Sequence, residues 1–325
     1  MLSIKTPITV DDIHGVYVLA PGHPVYRLEG WGNSSGNVDS IVIKNESGKG
    51  TNVQAAAMIM NVVDRNARQI PLSNQEIQAL REFATYKDLP NVECFRAAKE
   101  VVKALSQGGT WLKMDLKQLM NLDSAVAKLA TGDKSDARII ARSLTKSGGL
   151  EKLGEIVAAD LFNGSNDRFA YPAIAVQPGS QVVQNKGNIF IACEKIGKGS
   201  PVGLDNFDPY SQHRHISGDQ AKNMDLSKET WGGHLLLRAN KAYREAFIKA
   251  LVADLEVLLG GERKRKNPFG SKNRLGTART SRISKGMESG AKKLQKAFAN
   301  WRRQGQKSNR EFEEGVSRKL STLGW

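Results

Sequence analysis

The sequence contains little cysteine and no long apolar segment. Cys94 and Cys193 are its two cysteines, a number that argues against a disulfide framework and against a cysteine-based zinc site. We expect both thiols to be buried and to pack as small hydrophobic side chains. No apolar run approaches the roughly 20 residues that cross a bilayer, so we expect no integral membrane segment.

The first residues, Met1 to Pro7, lack the apolar core of a secretory signal peptide. We therefore expect a cytoplasmic protein. Delivery by a specialised secretion system stays open, because the address that such a system reads is not visible in composition. Nuclear targeting also stays open, since Lys264-Arg265-Lys266 is a basic cluster of the kind that serves as a nuclear address.

Positive charge is concentrated at one end of the chain. The net charge is +15. Residues 262–325 hold 18 Lys and Arg against 5 Asp and Glu, whereas residues 1–261 hold 30 against 28. Gly260-Gly261 marks the natural boundary between a nearly neutral body and this basic tail. We expect the tail to bind an anionic membrane, a nucleic acid or a partner protein.

The two parts of the tail differ in pattern. Residues 262–282 lack the apolar content to fold alone. Residues 287–304 predict a basic amphipathic helix with Phe298 and Trp301 on its apolar face. Two uses of this helix stay open: docking on the body through Phe298 and Trp301, or contact with an anionic surface.

The residues from 16 to 45 predict three short strands in a β-meander. Pro21-Gly22-His23 has turn composition and lies between the first two strands. A second glycine-bearing loop runs from Gly30 to Gly36. We favour the Gly22 turn as the one that covers phosphates, because Gly36 stands only eight residues before Lys44, too few for two paired strands and their turn.

Most of the remaining body has helical periodicity. A further strand is predicted for residues 108–116, crossing between two lobes. Predicted helices cover residues 51–68, 74–86, 93–106, 136–144, 150–162 and 231–259.

Four residues in this framework are those that phosphoryl transfer requires. Asp167 follows an apolar helix on a polar loop, Asn188 precedes a short apolar strand, and Asp205 ends the next strand. One carboxylate can orient and deprotonate an acceptor hydroxyl, while an amide oxygen and a second carboxylate can hold a metal on nucleotide phosphates. Lys44, at the end of the third predicted strand, supplies a cation for the phosphates.

The motifs around these residues resemble those of atypical kinases with the protein-kinase fold, especially the phosphatidylinositol kinases and the actin-fragmin-kinase-like group. Asn166-Asp167-Arg168-Phe169 resembles their catalytic loop. Gly187-Asn188-Ile189-Phe190-Ile191 is similar to their metal-binding strand, and Leu204-Asp205-Asn206-Phe207 stands where they have Asp-Phe-Gly. Lys44 matches their strand lysine. The resemblance covers roughly residues 15–260.

The resemblance implies a two-lobed α+β fold with a β-rich N-lobe in residues 1–115, a mostly helical C-lobe in 116–261 and the basic tail in 262–325. It also implies ATP and Mg²⁺ as cofactors. Asp167 is then the catalytic base, and Asn188 and Asp205 are the Mg²⁺ ligands. Lys44 and the Gly22 turn bind the nucleotide phosphates.

The chain differs from the family pattern in three respects. Asp167 and Asn188 are 21 residues apart, which requires an inserted loop at 170–186. No glycine follows Asp205-Asn206-Phe207. The helix after Lys44 has no early Glu, so Gln54 is the residue expected to hydrogen-bond Lys44, and we judge Glu46 too close along the strand to serve.

We therefore expect an ATP- and Mg²⁺-dependent kinase that acts on a protein hydroxyl of Ser or Thr. A phosphoinositide acceptor is the first alternative, because the basic tail suits an anionic membrane. A non-catalytic, pseudokinase-like binding module is the second alternative, since the Glu expected to pair with Lys44 is missing.

Overall fold

The computed structural model describes residues 2–32, 38–46, 50–86, 88–145, 148–163, 168–170, 183–184, 188–195, 198–204 and 272–304. The chain divides into two compact units. The first comprises Met1–Met58 and Ala67–Lys117, and the second comprises Ile59–Asn66 and Gln118–Trp325. Helix α1, Gly50–Val63, begins in the first unit and ends in the second.

The first unit is built on a five-stranded antiparallel sheet with the order β1-β2-β3-β5-β4. Alternation along β2 buries Tyr26 and Leu28 on one face, as a half-buried strand requires. The predicted meander is confirmed. The strand predicted for 108–116 exists, but it pairs with β3 and β4 inside this sheet and does not cross between lobes. The strands are β1 Gly15–Val18, β2 Val25–Gly32, β3 Val38–Glu46, β4 Gln69–Pro71 and β5 Thr110–Asp115.

Helices α2, Asn74–Ala84, and α3, Val92–Ser106, complete the first unit. Ser73 caps α2, because its hydroxyl accepts from the Glu76 N–H at 3.3 Å while the Glu76 carboxylate accepts from the Ser73 N–H at 2.8 Å. The apolar stripe of α3 packs in the core, and Cys94 is fully buried there, as predicted. Burial raises the pKa of its thiol. Cys193 is only partly buried, contrary to expectation.

The second unit contains a three-stranded antiparallel sheet, β10-β9-β6, and four helices in its described part. Helix α6 is its centre, because residues 153–160 of this helix are all buried. The strands are β6 Leu119–Asn121, β7 Phe169–Ala170, β8 Val183–Gln184, β9 Phe190–Lys195 and β10 Lys198–Val202; the helices are α4 Leu122–Ala130, α5 Ser135–Thr145, α6 Gly149–Asn163 and α7 Lys272–Gln304.

Helix α7 belongs to the second unit and packs along α6. Glycines make this close approach possible: a Cβ added at Gly290 would lie 2.8 Å from the Ala158 Cβ and 3.0 Å from the Glu155 Cα. Ile283 and Leu294 are buried on the same helix.

The structure corrects the predicted tail in one respect. Helix α7 begins at Lys272, so residues 272–282, which we expected not to fold, are helical. Arg282 in this segment is tied to the rest of the unit, because its Nε donates to Glu151 Oε1 at 2.7 Å and a terminal nitrogen donates to the Thr145 carbonyl at 2.9 Å. Docking on the body is therefore observed, through small and aliphatic residues. The Phe298 and Trp301 side chains lie outside the described part.

The chain is thus α+β, with an antiparallel sheet and several helices, as predicted. The change of unit after Lys117 lies close to the predicted lobe boundary, but residues 59–66 belong to the second unit. The reason is contact, since Asp64 binds the backbone at Gly203. The predicted helix at 231–259 lies outside the described residues. Among the helices that the structure describes, none is both long and apolar enough to cross a membrane.

Candidate functional site

In the first unit, the structure brings the Gly22 turn next to Lys44. Val25 pairs with Lys44 across β2 and β3, and the Asn45 N–H donates to the Pro24 carbonyl at 2.9 Å. The turn is closed by a 3.0 Å hydrogen bond from the His23 N–H to the Ala20 carbonyl. Gly22 has φ 79°, which a type II turn requires at its third position.

Lys44 forms an ion pair with Glu46, with 2.6 Å between Nζ and Oε1. The two side chains are 17% and 10% exposed. Our expectation that Glu46 stands too close along the strand was wrong. Side chains two residues apart project from the same face of a strand, and the long lysine stem reaches along that face. Gln54, the partner that we predicted, lies on α1 and is partly exposed.

In the second unit, Arg168 is the largest fully buried side chain among the described residues. It is 1% exposed, and its Nε donates to Oδ2 of Asp160 at 2.8 Å. One terminal nitrogen donates to the Asn188 carbonyl, and the other donates to the Leu204 carbonyl at 2.7 Å. A single guanidinium therefore joins α6 to two backbone segments that are distant in sequence.

These contacts concern three of the predicted site positions. Arg168 directly follows Asp167, Leu204 directly precedes Asp205, and Asn188 is itself a predicted metal ligand. The backbone carbonyls at positions 188 and 204 thus meet at one side chain. Asp167 and Asp205 themselves lie outside the described residues.

Asp160 was missed at the sequence level, although it carries a signal. It is a lone carboxylate in an apolar stretch of α6, where an unpaired charge would be costly. Burial raises its pKa, and the Arg168 cation opposes that effect. Among the described residues no donor reaches its second oxygen, Oδ1.

Asp64 binds the residue that follows β10. Its carboxylate is fully buried, and Oδ2 accepts from the Gly203 N–H at 2.8 Å. Oδ1 accepts from the Asn66 N–H at 3.1 Å and lies 3.0 Å from the Lys152 ammonium. The two residues before Asp205 are therefore fixed by Asp64 at one position and by Arg168 at the next.

The predicted metal ligands have suitable chemistry. An Asn amide oxygen and an Asp carboxylate are hard oxygen donors of the kind that Mg²⁺ prefers. Asn188 is partly buried, and its backbone carbonyl is held by Arg168. No group of three His, Cys, Asp or Glu side chains suited to a metal occurs within the part of the chain that the structure describes, a part that excludes Asp167 and Asp205.

Lys44 and Gly22 thus belong to the first unit, and Asn188, with the neighbours of Asp167 and Asp205, belongs to the second. Comparison of the chain with protein-family models, with curated proteins and with solved structures gives no match.

Proposed function

We propose that this protein is an ATP- and Mg²⁺-dependent phosphotransferase with a two-lobed, protein-kinase-like fold, and that its acceptor is a protein hydroxyl. The observation that carries the proposal is the buried Arg168 guanidinium. Its terminal nitrogens donate to the Asn188 and Leu204 carbonyls. The kinase motifs assign Asn188 to the site, together with Asp167, which precedes Arg168, and Asp205, which follows Leu204. A site whose catalysis depends on positioning requires such a constraint.

The roles of the residues follow from the resemblance described above. Asp167 orients the acceptor hydroxyl. The acceptor oxygen forms a bond to the γ-phosphorus, the bond from that phosphorus to the bridging oxygen breaks, and ADP leaves. The acceptor proton passes to Asp167.

The nucleotide is held by cations and by backbone. Lys44 contacts the α and β phosphates, and the adjoining Gly22 turn covers them. Asn188 and Asp205 supply the oxygen ligands of Mg²⁺. When bound, the metal neutralises charge on the phosphates.

The proposal is tested by incubating the full chain with γ-labelled ATP, Mg²⁺ and a generic protein acceptor. We expect transfer to the protein itself or to the acceptor. Asp167→Asn should reduce the rate by at least about 100-fold, because the proton acceptor is lost. Asp123→Asn is the matched control: this exposed carboxylate lies in the first turn of α4, and its replacement should leave the rate unchanged.

Vesicles containing phosphatidylinositol form a parallel arm of the same experiment. Label in the lipid and none in protein would overturn the protein acceptor but keep the phosphotransferase. Equal labelling by the wild type and Asp167→Asn would remove the proposed mechanism. Binding of ATP without any transfer would leave a pseudokinase-like binding module.

A further inference from the structure

The second unit contains a basic cavity of about 590 Å³. It lies between the C-terminal turn of α1, the residues that follow this turn, the start of α6 and the last turns of α7. Its volume falls in the range of small-molecule sites, roughly 300 to 1,000 Å³. Neither Lys44 nor Asn188 is among its wall residues. The wall includes four cationic side chains and three amides: Arg65, Lys152, Lys293, Lys296, Asn61, Asn66 and Asn300.

Two of the four cations are unpaired within the described chain. Arg65 and Lys296 are exposed and have no ion-pair partner among the described residues. Asp64 is the one carboxylate among the described wall residues, and both of its oxygens already accept hydrogen bonds. The charge that the cavity presents to a ligand is therefore positive.

The other two cations are held in place. Lys152 donates to the Val63 carbonyl and lies 3.0 Å from Asp64. Lys293 lies 2.6 Å from a Glu155 oxygen that also accepts from the Ser289 hydroxyl at 2.8 Å. Because these ammonium groups are fixed before a ligand arrives, an anion that binds them loses little affinity to ordering of the site.

The donor set indicates the chemistry of the ligand. A guanidinium binds phosphate through two parallel N–H groups, and an ammonium binds it as a point charge. Four such groups around one partly open cavity exceed what one phosphate needs. We infer that this cavity binds a compact small molecule that carries two or more phosphate groups. The inference does not depend on the proposed phosphotransferase activity.

Inorganic tripolyphosphate is the probe, titrated calorimetrically into the full chain without Mg²⁺. Arg65→Ala/Lys296→Ala should weaken binding at least roughly tenfold, because two charge-assisted contacts are lost. Lys134→Ala/Arg138→Ala removes the same charges from exposed positions at the start of α5 and should change affinity less than about twofold. Thermal melting verifies that both variants fold.

Four outcomes would overturn the inference. The first is absence of tripolyphosphate binding by the wild type. The second is an equal loss in the two double variants, which would show a general charge effect. The third is a loss in Lys44→Ala as large as that in Arg65→Ala/Lys296→Ala, which would assign the binding to the nucleotide phosphates' site. Inorganic phosphate should bind at least about tenfold more weakly than tripolyphosphate, and equal affinity would contradict the assignment of several phosphates.

Discussion

Arg168 and Asp160 form an ion pair in which each side chain is only 1% exposed, with 2.8 Å between Nε and Oδ2. Removal of one partner leaves an uncompensated charge in the interior. Asp160→Asn should therefore lower the free energy of unfolding by about 3 to 5 kcal/mol, measured by chemical denaturation. Asp123→Asn, at an exposed position, should change it by less than about 0.5 kcal/mol. A loss below about 1 kcal/mol in Asp160→Asn would contradict the importance of this pair.

A double replacement separates the contribution of this ion pair to protein stability from the contribution of Arg168 to positioning the proposed site. Asp160→Leu/Arg168→Met removes both charges and should recover most of the stability lost in Asp160→Asn, because two apolar groups of similar volume need no partner. Phosphotransfer should nevertheless stay low, since the Asn188 and Leu204 carbonyls lose their donor. Full activity in a stable double variant would show that Arg168 has only a structural role.

Lys113 and Glu76 form the corresponding buried pair of the first unit, with 2.6 Å between Nζ and Oε1. Burial alone would raise the pKa of Glu76. The hydrogen bonds from Lys113, Ser73 and the Ile8 N–H outweigh burial and hold the pKa below its ordinary value of 4.5. The stabilisation from this carboxylate is therefore complete above pH 4.5 and is lost as pH falls through the lowered pKa.

Glu76→Gln should accordingly cost about 3 kcal/mol of unfolding free energy at pH 7. The difference from the wild type should shrink as pH falls below 4.5. Denaturation curves from pH 7 to pH 3 measure this dependence. Glu93→Gln, exposed in the first turn of α3, should show no comparable pH-dependent difference. A constant difference across the range would mean that the charge of Glu76 contributes nothing.

The regular elements were predictable because their signals are local. The meander, the Gly22 turn and most helices of the first unit follow from alternation, from turn residues and from caps such as Ser73. The convergence of Asp167, Asn188 and Asp205 stays a prediction from the kinase motifs. The structure shows that the Arg168 guanidinium donates to the Asn188 and Leu204 carbonyls, contacts that no sequence pattern indicated.

Other features depend on contacts that composition does not reveal. Charge and low apolar content suggested an independent tail, whereas Gly290 and Ile283 let α7 pack on α6. The Lys44–Glu46 pair was rejected on sequence distance, although strand geometry permits it. The basic cavity joins residues from three separate segments, so no sequence window contains its pattern.

Because α6 and α7 pack closely, we expect a Gly→Ala replacement on α7 to change the free energy of unfolding in the direction opposite to the usual one. In an exposed helix, Gly→Ala stabilises by about 0.5 to 1 kcal/mol. Gly286→Ala should instead destabilise by about 1 to 3 kcal/mol, because the added methyl group would collide with the Glu151 carbonyl. Ser281→Ala, exposed on the same helix, is the control for helix propensity. Stabilisation by Gly286→Ala, measured by denaturation, would contradict the observed packing.

The Lys44–Glu46 pair connects the fold to the proposed nucleotide site. Glu46→Gln removes the carboxylate that holds the lysine ammonium and should weaken MgATP binding by roughly two- to fivefold. The effect should appear in KM for ATP more than in kcat, because Glu46 positions Lys44 and does not react. Glu100→Gln, exposed on α3, is the matched control. Unchanged KM in Glu46→Gln would exclude this positioning role.

The central claim is tested most directly by calorimetric titration of MgATP into the wild type, Asp205→Ala and Asp123→Ala. The account predicts that the wild type binds MgATP. It predicts that Asp205→Ala loses at least about tenfold in affinity, because a metal ligand is removed, and that the exposed Asp123→Ala is unaffected. Absence of MgATP binding by the wild type, or equal affinity in Asp205→Ala, would contradict the account.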